Sequence, residues 1–261
     1  MRPINLFWMV SPNFGDALSP WLARRMTGRD PVYVDPALGI DKFIIGGSVL
    51  NHARAGSRVW GAGVARIGDG VDPAAKIHAV RGPISRAVAR AYGAECSAIY
   101  GDPALVLPRL YRPVPPKRRY AVGVVPHFQQ AHLVRSTLAW TEHPEVTVID
   151  IFAPTERFID EICACDRIVS SALHGIVTAH AYGIPAAWVE FGESAIGGDG
   201  TKFLDYALSV GVDAPVCVRM GGDALLADIE ALRALPYFSP RCELGALVDG
   251  LLGACPFEVT P

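Results

Sequence analysis

The 261-residue chain lacks the short signatures that most directly announce a chemistry. Its six cysteines (Cys96, Cys163, Cys165, Cys217, Cys242 and Cys255) are scattered and form no Cys-x-x-Cys pair. Cys163 and Cys165 fall two apart on a predicted helix, which points their side chains away from each other. This argues against a metal site or a disulfide framework and fits reduced thiols in a cytoplasmic protein. There is no Asp-x-Asp and no His-Glu-x-x-His, so neither the divalent metal of a nucleotide-sugar enzyme nor a zinc hydrolase centre is expected. No Gly-x-Gly-x-x-Gly follows the first strand. Gly61-Ala62-Gly63 places Arg66 where the third glycine would be needed, and no Gly-Lys-Ser/Thr phosphate loop occurs. A Rossmann-type oxidoreductase is thereby disfavoured. Basic excess is missing too. The formal net charge is -2, which argues against nucleic acid as a partner. No apolar run reaches the length of a membrane span, and Met1 to Pro12 has no small-residue cleavage pattern.

What the chain does have is core-forming material, 51% hydrophobic residues, arranged in alternation. Strands are predicted at Ile4–Val10, Val32–Val34, Phe43–Ile45, Arg58–Trp60 and Ile77–Val80. Helices are predicted from Ala17, capped by Asp16, and over Ile84–Tyr92, with Pro83 in its first turn. After a proline-rich, basic stretch at 108–119 the alternation restarts. Strands are expected at Tyr120–Val125, Val146–Ile151, Arg167–Val169 and Ala186–Val189, and helices at 130–141, 154–165, 202–210, 223–235 and 243–252. Strands that close in glycine or a polar residue and alternate with helices indicate parallel sheets covered on both faces. The expected fold is α/β, with two Rossmann-like αβα domains at 1–112 and 113–261 and a ligand cleft between them.

The organising stretch is Ile168 to Pro185. A short apolar strand runs into Ser170 and Ser171, natural helix caps. Leu173, Ile176, Val177 and His180 then recur at helical spacing, and Gly183 and Pro185 stop the helix. Such a turn presents helix N–H groups at a strand's carboxyl end and suits an anionic ligand. His174 lies in its first turn, within reach of that ligand. His180, six residues on, points elsewhere and reads as structural. Other strand ends carry Asn13-Phe14-Gly15-Asp16, Gly46-Gly47-Ser48, Arg81-Gly82-Pro83-Ile84-Ser85 and Gly101-Asp102-Pro103. Arg81, beside a helix start, has the fork to clamp a carboxylate or phosphate. It equally suits an ordinary pairing with a surface acid. Asp16 and Asp102 are either turn and cap residues or carboxylates facing a ligand.

In this order the motifs resemble the polysaccharide pyruvyl transferase family, from about residue 11 to 206, and most closely its compact exopolysaccharide, succinoglycan-type members. Gly-Gly-Ser at 46–48 stands for a commoner Gly-Gly-Gly. Ala172 stands where many members carry Arg, so the Ser171-x-Leu173-His174-Gly175 motif offers no second cationic clamp. The resemblance implies a GT-B-like pair of domains. The first would form the acceptor side and part of the donor site, and the second would carry Ser171, His174 and Gly175. It implies transfer of a pyruvyl group from phosphoenolpyruvate, a co-substrate rather than a cofactor, to a pair of sugar hydroxyls. The product would be a ketal on a polysaccharide or its lipid-linked precursor at the inner membrane face. His174 matches the catalytic histidine and serves as general acid, with Asp16 or Asp102 as base. Arg81, Asn13, Ser85, Ser171 and Gly175 would bind the donor, and Gly46, Gly47 and Ser48 would give loop contacts. The alternatives are a nucleotide-sugar glycosyltransferase of the same architecture and a non-catalytic carbohydrate-binding relative.

Overall fold

A computed structural model describes residues 2–114, 119–136, 143–192, 197–221 and 229–259. The chain divides into two compact units. The first comprises residues 1–110, 198–214 and 240–261, and the second 111–197 and 215–239. The sequence reading gave all of 113–261 to the second half. In the structure two segments of that span pack with the first unit instead.

The first unit holds a five-stranded parallel sheet of β1 (Ile4–Phe7), β2 (Pro31–Tyr33), β3 (Lys42–Ile45), β4 (Ser57–Ala62) and β5 (Lys76–Val80), in the order β2-β1-β3-β4-β5. Helix α1 (Phe14–Thr27) follows β1, and α2 (Pro83–Ala91) follows β5. A short α3 (Leu107–Leu110) closes this stretch. β1 is shorter than the apolar pattern predicted, and Met9 and Val10 are exposed beyond it. The cap of α1 is also corrected. Asn13 has extended φ and ψ and accepts the Asp16 amide at 3.2 Å, so the helix begins three residues earlier and Asp16 sits in its first turn. One core cluster of this unit gathers Ile44, Val59, Ile77, Val80 and Val88 from β3, β4, β5 and α2.

The second unit repeats the plan. β6 (Val122–Val125), β7 (Val146–Val148), β8 (Ile168–Ser170), β9 (Ala186–Phe191) and β10 (Cys217–Met220) form a parallel sheet in the order β10-β9-β8-β6-β7. Counted from its own first strand, that is the 2-1-3-4-5 order of the first unit, the flavodoxin-like winding. Its helices are α4 (Ala131–Ser136), α5 (Thr155–Cys163) and α6 (Leu173–Ala181). Between β9 and β10 the chain leaves to supply α7 (Thr201–Ser209) to the first unit. It comes back through β10 to α8 (Ile229–Arg233), and then gives α9 (Leu244–Gly253) to the first unit. The expected helices over 130–141 and 223–235 lie partly outside the described residues, as does the proline-rich stretch. β10 had no predicted counterpart, because Cys-Val-Arg-Met on a half-exposed edge has no apolar run.

All six cysteines are free. Burial raises the Cys163 and Cys165 thiols to about 12, which keeps them protonated and unreactive near neutrality. No helix among the described residues is long and apolar enough to cross a membrane, and no group of three or more His, Cys, Asp or Glu among them is placed to hold a metal ion.

Candidate active site

In a doubly wound sheet the ligand crevice opens at the carboxyl ends of the two strands where the order reverses. In the first unit these are β1 and β3. In the second they are β6 and β8. The sequence motifs Asn13–Asp16 and Gly46–Ser48 follow β1 and β3, and Ser171–Gly175 follows β8.

The β8 turn is built by two serines that do not cap the helix as expected. Ser170, fully buried, places Oγ 3.0 Å from the Val125 carbonyl and accepts the Ala172 amide. Ser171 Oγ accepts the His127 amide at 2.8 Å. The cap position falls to Ala172, which supplies no side-chain bond. The serines instead tie the turn to the neighbouring β6 loop across the switch point. Gly175 lets α6 press onto the ends of β8 and β6. A Cβ there would lie 2.4 Å from Ser170 Oγ and 2.9 Å from Val125 Cγ1. From Ser171 through His180 every residue is buried except His174. His180 is fully buried, with Nε2 2.9 Å from the Phe238 carbonyl, and its desolvation lowers its pKa to about 4. It stays neutral and structural, as its spacing predicts.

His127 is a residue that the sequence reading passed over. It lies just past the carboxyl end of β6, half-buried, its ring tilted 36° to that of Phe128 with centroids 4.4 Å apart. The signal that singled out His174, an imidazole between a parallel strand and the next helix, was present here too.

In the first unit, Asn13 Nδ2 donates to Asp16 Oδ2 at 2.6 Å and to Ser11 Oγ at 2.8 Å, so the turn after β1 is a closed polar cluster. Asp16 stays half-buried. Gly46 and Gly47 both have positive φ, 61° and 76°, a conformation costly for any residue with a Cβ. Asp102 is fully buried and caps the turn Pro103–Val106 through the Ala104 amide at 2.9 Å.

Arg81 is fully buried as well. Its Nε donates to Asp205 Oδ2 at 3.0 Å, Nη1 to Ser48 Oγ at 2.8 Å and Nη2 to the Val64 carbonyl at 2.6 Å. Asp205, on α7, also accepts from the Ser85 amide at 2.9 Å and the Ser85 hydroxyl at 2.6 Å. The anion held by Arg81 and the first turn of α2 is therefore a carboxylate of the same chain. These bonds use three of the five Arg81 N–H groups, and the side chain is fully buried. The structure thus brings Ser48, Arg81 and Ser85 into one network, and Asn13 and Asp16 into another.

Comparison with known proteins gives the family. A family model described as polysaccharide pyruvyl transferase matches residues 36–192. The chain belongs to the polysaccharide pyruvyl transferase family. Membership places it among transferases that move pyruvyl groups onto polysaccharides. The matched region includes Gly46–Ser48, Arg81, Ser85, Asp102 and Ser171–Gly175. Asn13, Asp16 and Asp205 lie outside it. A curated relative, "Uncharacterized protein L143" of Acanthamoeba polyphaga mimivirus, is 26% identical over 217 residues, covering 79% of this chain and 74% of the relative. No solved structure matches this pyruvyl transferase.

Proposed function

We propose that this pyruvyl transferase forms a cyclic ketal. Its donor is phosphoenolpyruvate and its acceptor a pair of hydroxyls on one sugar of a polysaccharide or of its lipid-linked precursor. One observation carries the reading: between Ser171 and His180 only His174 breaks the burial, in the first turn after the switch-point strand β8. Protonation of the methylene carbon of phosphoenolpyruvate makes the adjacent carbon electrophilic. One hydroxyl attacks it, and the second then displaces inorganic phosphate. His174 gives the first proton. The amides of the α6 first turn favour the donor's negative charge. Asp16 accepts the hydroxyl proton. Its partial exposure supports it over Asp102, which is fully buried. The six free thiols are in keeping with a reaction on the cytoplasmic side of the membrane.

The test is phosphate release from phosphoenolpyruvate against a panel of lipid-linked oligosaccharides, with mass spectrometry of the products. A gain of a pyruvate ketal with one phosphate released per transfer is expected. Release of a nucleotide from a nucleotide sugar instead would identify a glycosyltransferase. Binding of saccharide with no turnover of any donor would identify a binding protein.

A further inference from the structure

The carboxyl ends of β2, β1 and β3 carry a row of aromatic rings that none of the motifs above uses. Trp8 follows β1 directly, Tyr33 is the last residue of β2, and His52 lies in the turn Leu50–His52 after Gly46-Gly47-Ser48. Trp8 and Tyr33 stand 5.3 Å apart at 83°, so the two rings form a right-angled corner. Phe7 continues the row, 6.2 Å from Tyr33 and 5.2 Å from His52. Phe7 is buried at 4% exposure and anchors the row. Tyr33 keeps 43% of its surface in water, and Trp8 is half-exposed.

Aromatic groups left in solvent at the ligand end of a parallel sheet need a reason, because burying them in the core would stabilise the fold. The same strand end holds hydrogen-bonding groups on the turn after β1, Ser11, Asn13 and Asp16. Desolvation lowers the His52 pKa, so that ring is neutral near pH 7. An uncharged aromatic corner, at a strand end whose turn also carries the half-buried Ser11 hydroxyl and Asp16 carboxylate, matches one ligand class well. A pyranose ring offers an apolar C–H face and a rim of hydroxyls. A phosphate-bearing or purely apolar ligand matches only one half of the set.

We infer that Trp8 and Tyr33 form a sugar-binding subsite, in which the C–H face of the acceptor pyranose stacks in the corner of the two rings. The inference rests on the reading that the acceptor is a saccharide. It adds that acceptor recognition depends on two residues outside the family-matched region, so that acceptor choice varies independently of the donor chemistry.

The test is calorimetric titration of the full chain with methyl β-glucoside, methyl β-galactoside and their β-linked disaccharides, and separately with phosphoenolpyruvate. Trp8→Ala and Tyr33→Ala should each weaken glycoside binding about tenfold, the loss of roughly one aromatic contact. Trp8→Phe and Tyr33→Phe should recover most of it, and phosphoenolpyruvate affinity should stay within about twofold throughout. Unchanged glycoside affinity in the alanine variants overturns the subsite, and so does a wild-type protein that binds none of the glycosides. The two readings fail separately. Glycoside binding that depends on Trp8, without phosphate release, removes the proposed reaction and keeps the subsite. Phosphate release with an acceptor KM indifferent to Trp8 and Tyr33 keeps the reaction and removes the subsite.

Discussion

Two turns of this molecule look alike in sequence and have been completed in opposite ways. Arg81-Gly82-Pro83-Ile84-Ser85 and Ser170-Ser171-Ala172-Leu173-His174 each lead from a parallel strand into a helix whose first amides attract an anion. At the first turn the anion is built in. The Asp205 carboxylate takes the Ser85 amide, the Ser85 hydroxyl and the Arg81 guanidinium, and both ionic partners are fully buried. At the second turn the cap residue is alanine, no cap side chain bonds the helix, and the partly exposed residue is an imidazole. A strand-to-helix turn therefore marks a place where negative charge is favoured, and the rest of the chain decides whether a ligand or a side chain provides it. In this protein the Asp205 carboxylate fills the turn after β5, whereas no cap side chain fills the turn after β8.

The comparison is most exposed at His174. His174→Ala and His174→Gln should lower turnover by about 10²–10⁴-fold, the usual worth of a general acid, while the denaturation midpoint stays near that of the wild type. Steady-state phosphate release paired with urea unfolding checks both halves. Near-normal turnover would mean that the β8 turn is as structural as its counterpart.

At the β5 turn the sign of the effects reverses. Asp205→Ala leaves a buried guanidinium without its counter-charge and should cost about 3–5 kcal/mol of stability, read by chemical denaturation. Replacing both partners, Arg81→Met with Asp205→Leu, should cost less than either single change. If Arg81→Ala instead weakened phosphoenolpyruvate binding by more than it weakened folding, Arg81 would be a donor clamp and Asp205 its resting partner.

His180 sharpens the contrast within α6 itself. Its folded pKa, about 4, lies below the ordinary 6.5. Between these values the unfolded chain binds the proton and the folded chain does not. Stability therefore holds above pH 6.5 and falls as the pH drops towards 4, by roughly 3 kcal/mol in all. His180→Gln should flatten that part of the stability–pH curve and leave turnover per folded molecule almost unchanged. Smallest is the effect of Gly175→Ala, whose added methyl meets Ser170 Oγ and Val125 Cγ1. A loss of about 1–3 kcal/mol is expected from overpacking, with turnover falling if the shift carries His174 with it.

Much of the fold was legible because parallel strands buried on both faces write themselves as short apolar runs. Ile44–Ile45, Ile77–Val80 and Val122–Val125 are of this kind. β10 was not legible because its residues are half in water and obey no such pattern. His174 and His180 were told apart by helical spacing alone, and the burial of His180 agrees with that separation. Arg81 was half legible. Its charge and its place at a strand end could be read, but its partner lies 124 residues away on a helix that a local pattern assigns to the other half of the chain. Non-local pairing of this sort leaves no trace in spacing. The Ser170 and Ser171 caps failed for a related reason, since their hydroxyls found partners on the adjacent β6 loop before the helix could use them.

The late segments of the first unit have a consequence for how the protein is made. Trp60, at the heart of β4, donates its indole N–H to the Leu251 carbonyl at 2.7 Å, and Phe257 packs edge-on against both Trp60 and Phe43. A ribosome delivers residues 1–110 first, yet the side chains that roof this sheet arrive only with residues 240–261. The second unit has all its parts by residue 239. Synthesis thus runs against the order of completion: the half that emerges first must wait, with Trp60 and Phe43 uncovered, until the half that emerges second is finished. A nascent chain stalled before residue 240 should be the form that chaperones hold and proteases cut, with cleavage concentrated in residues 1–110.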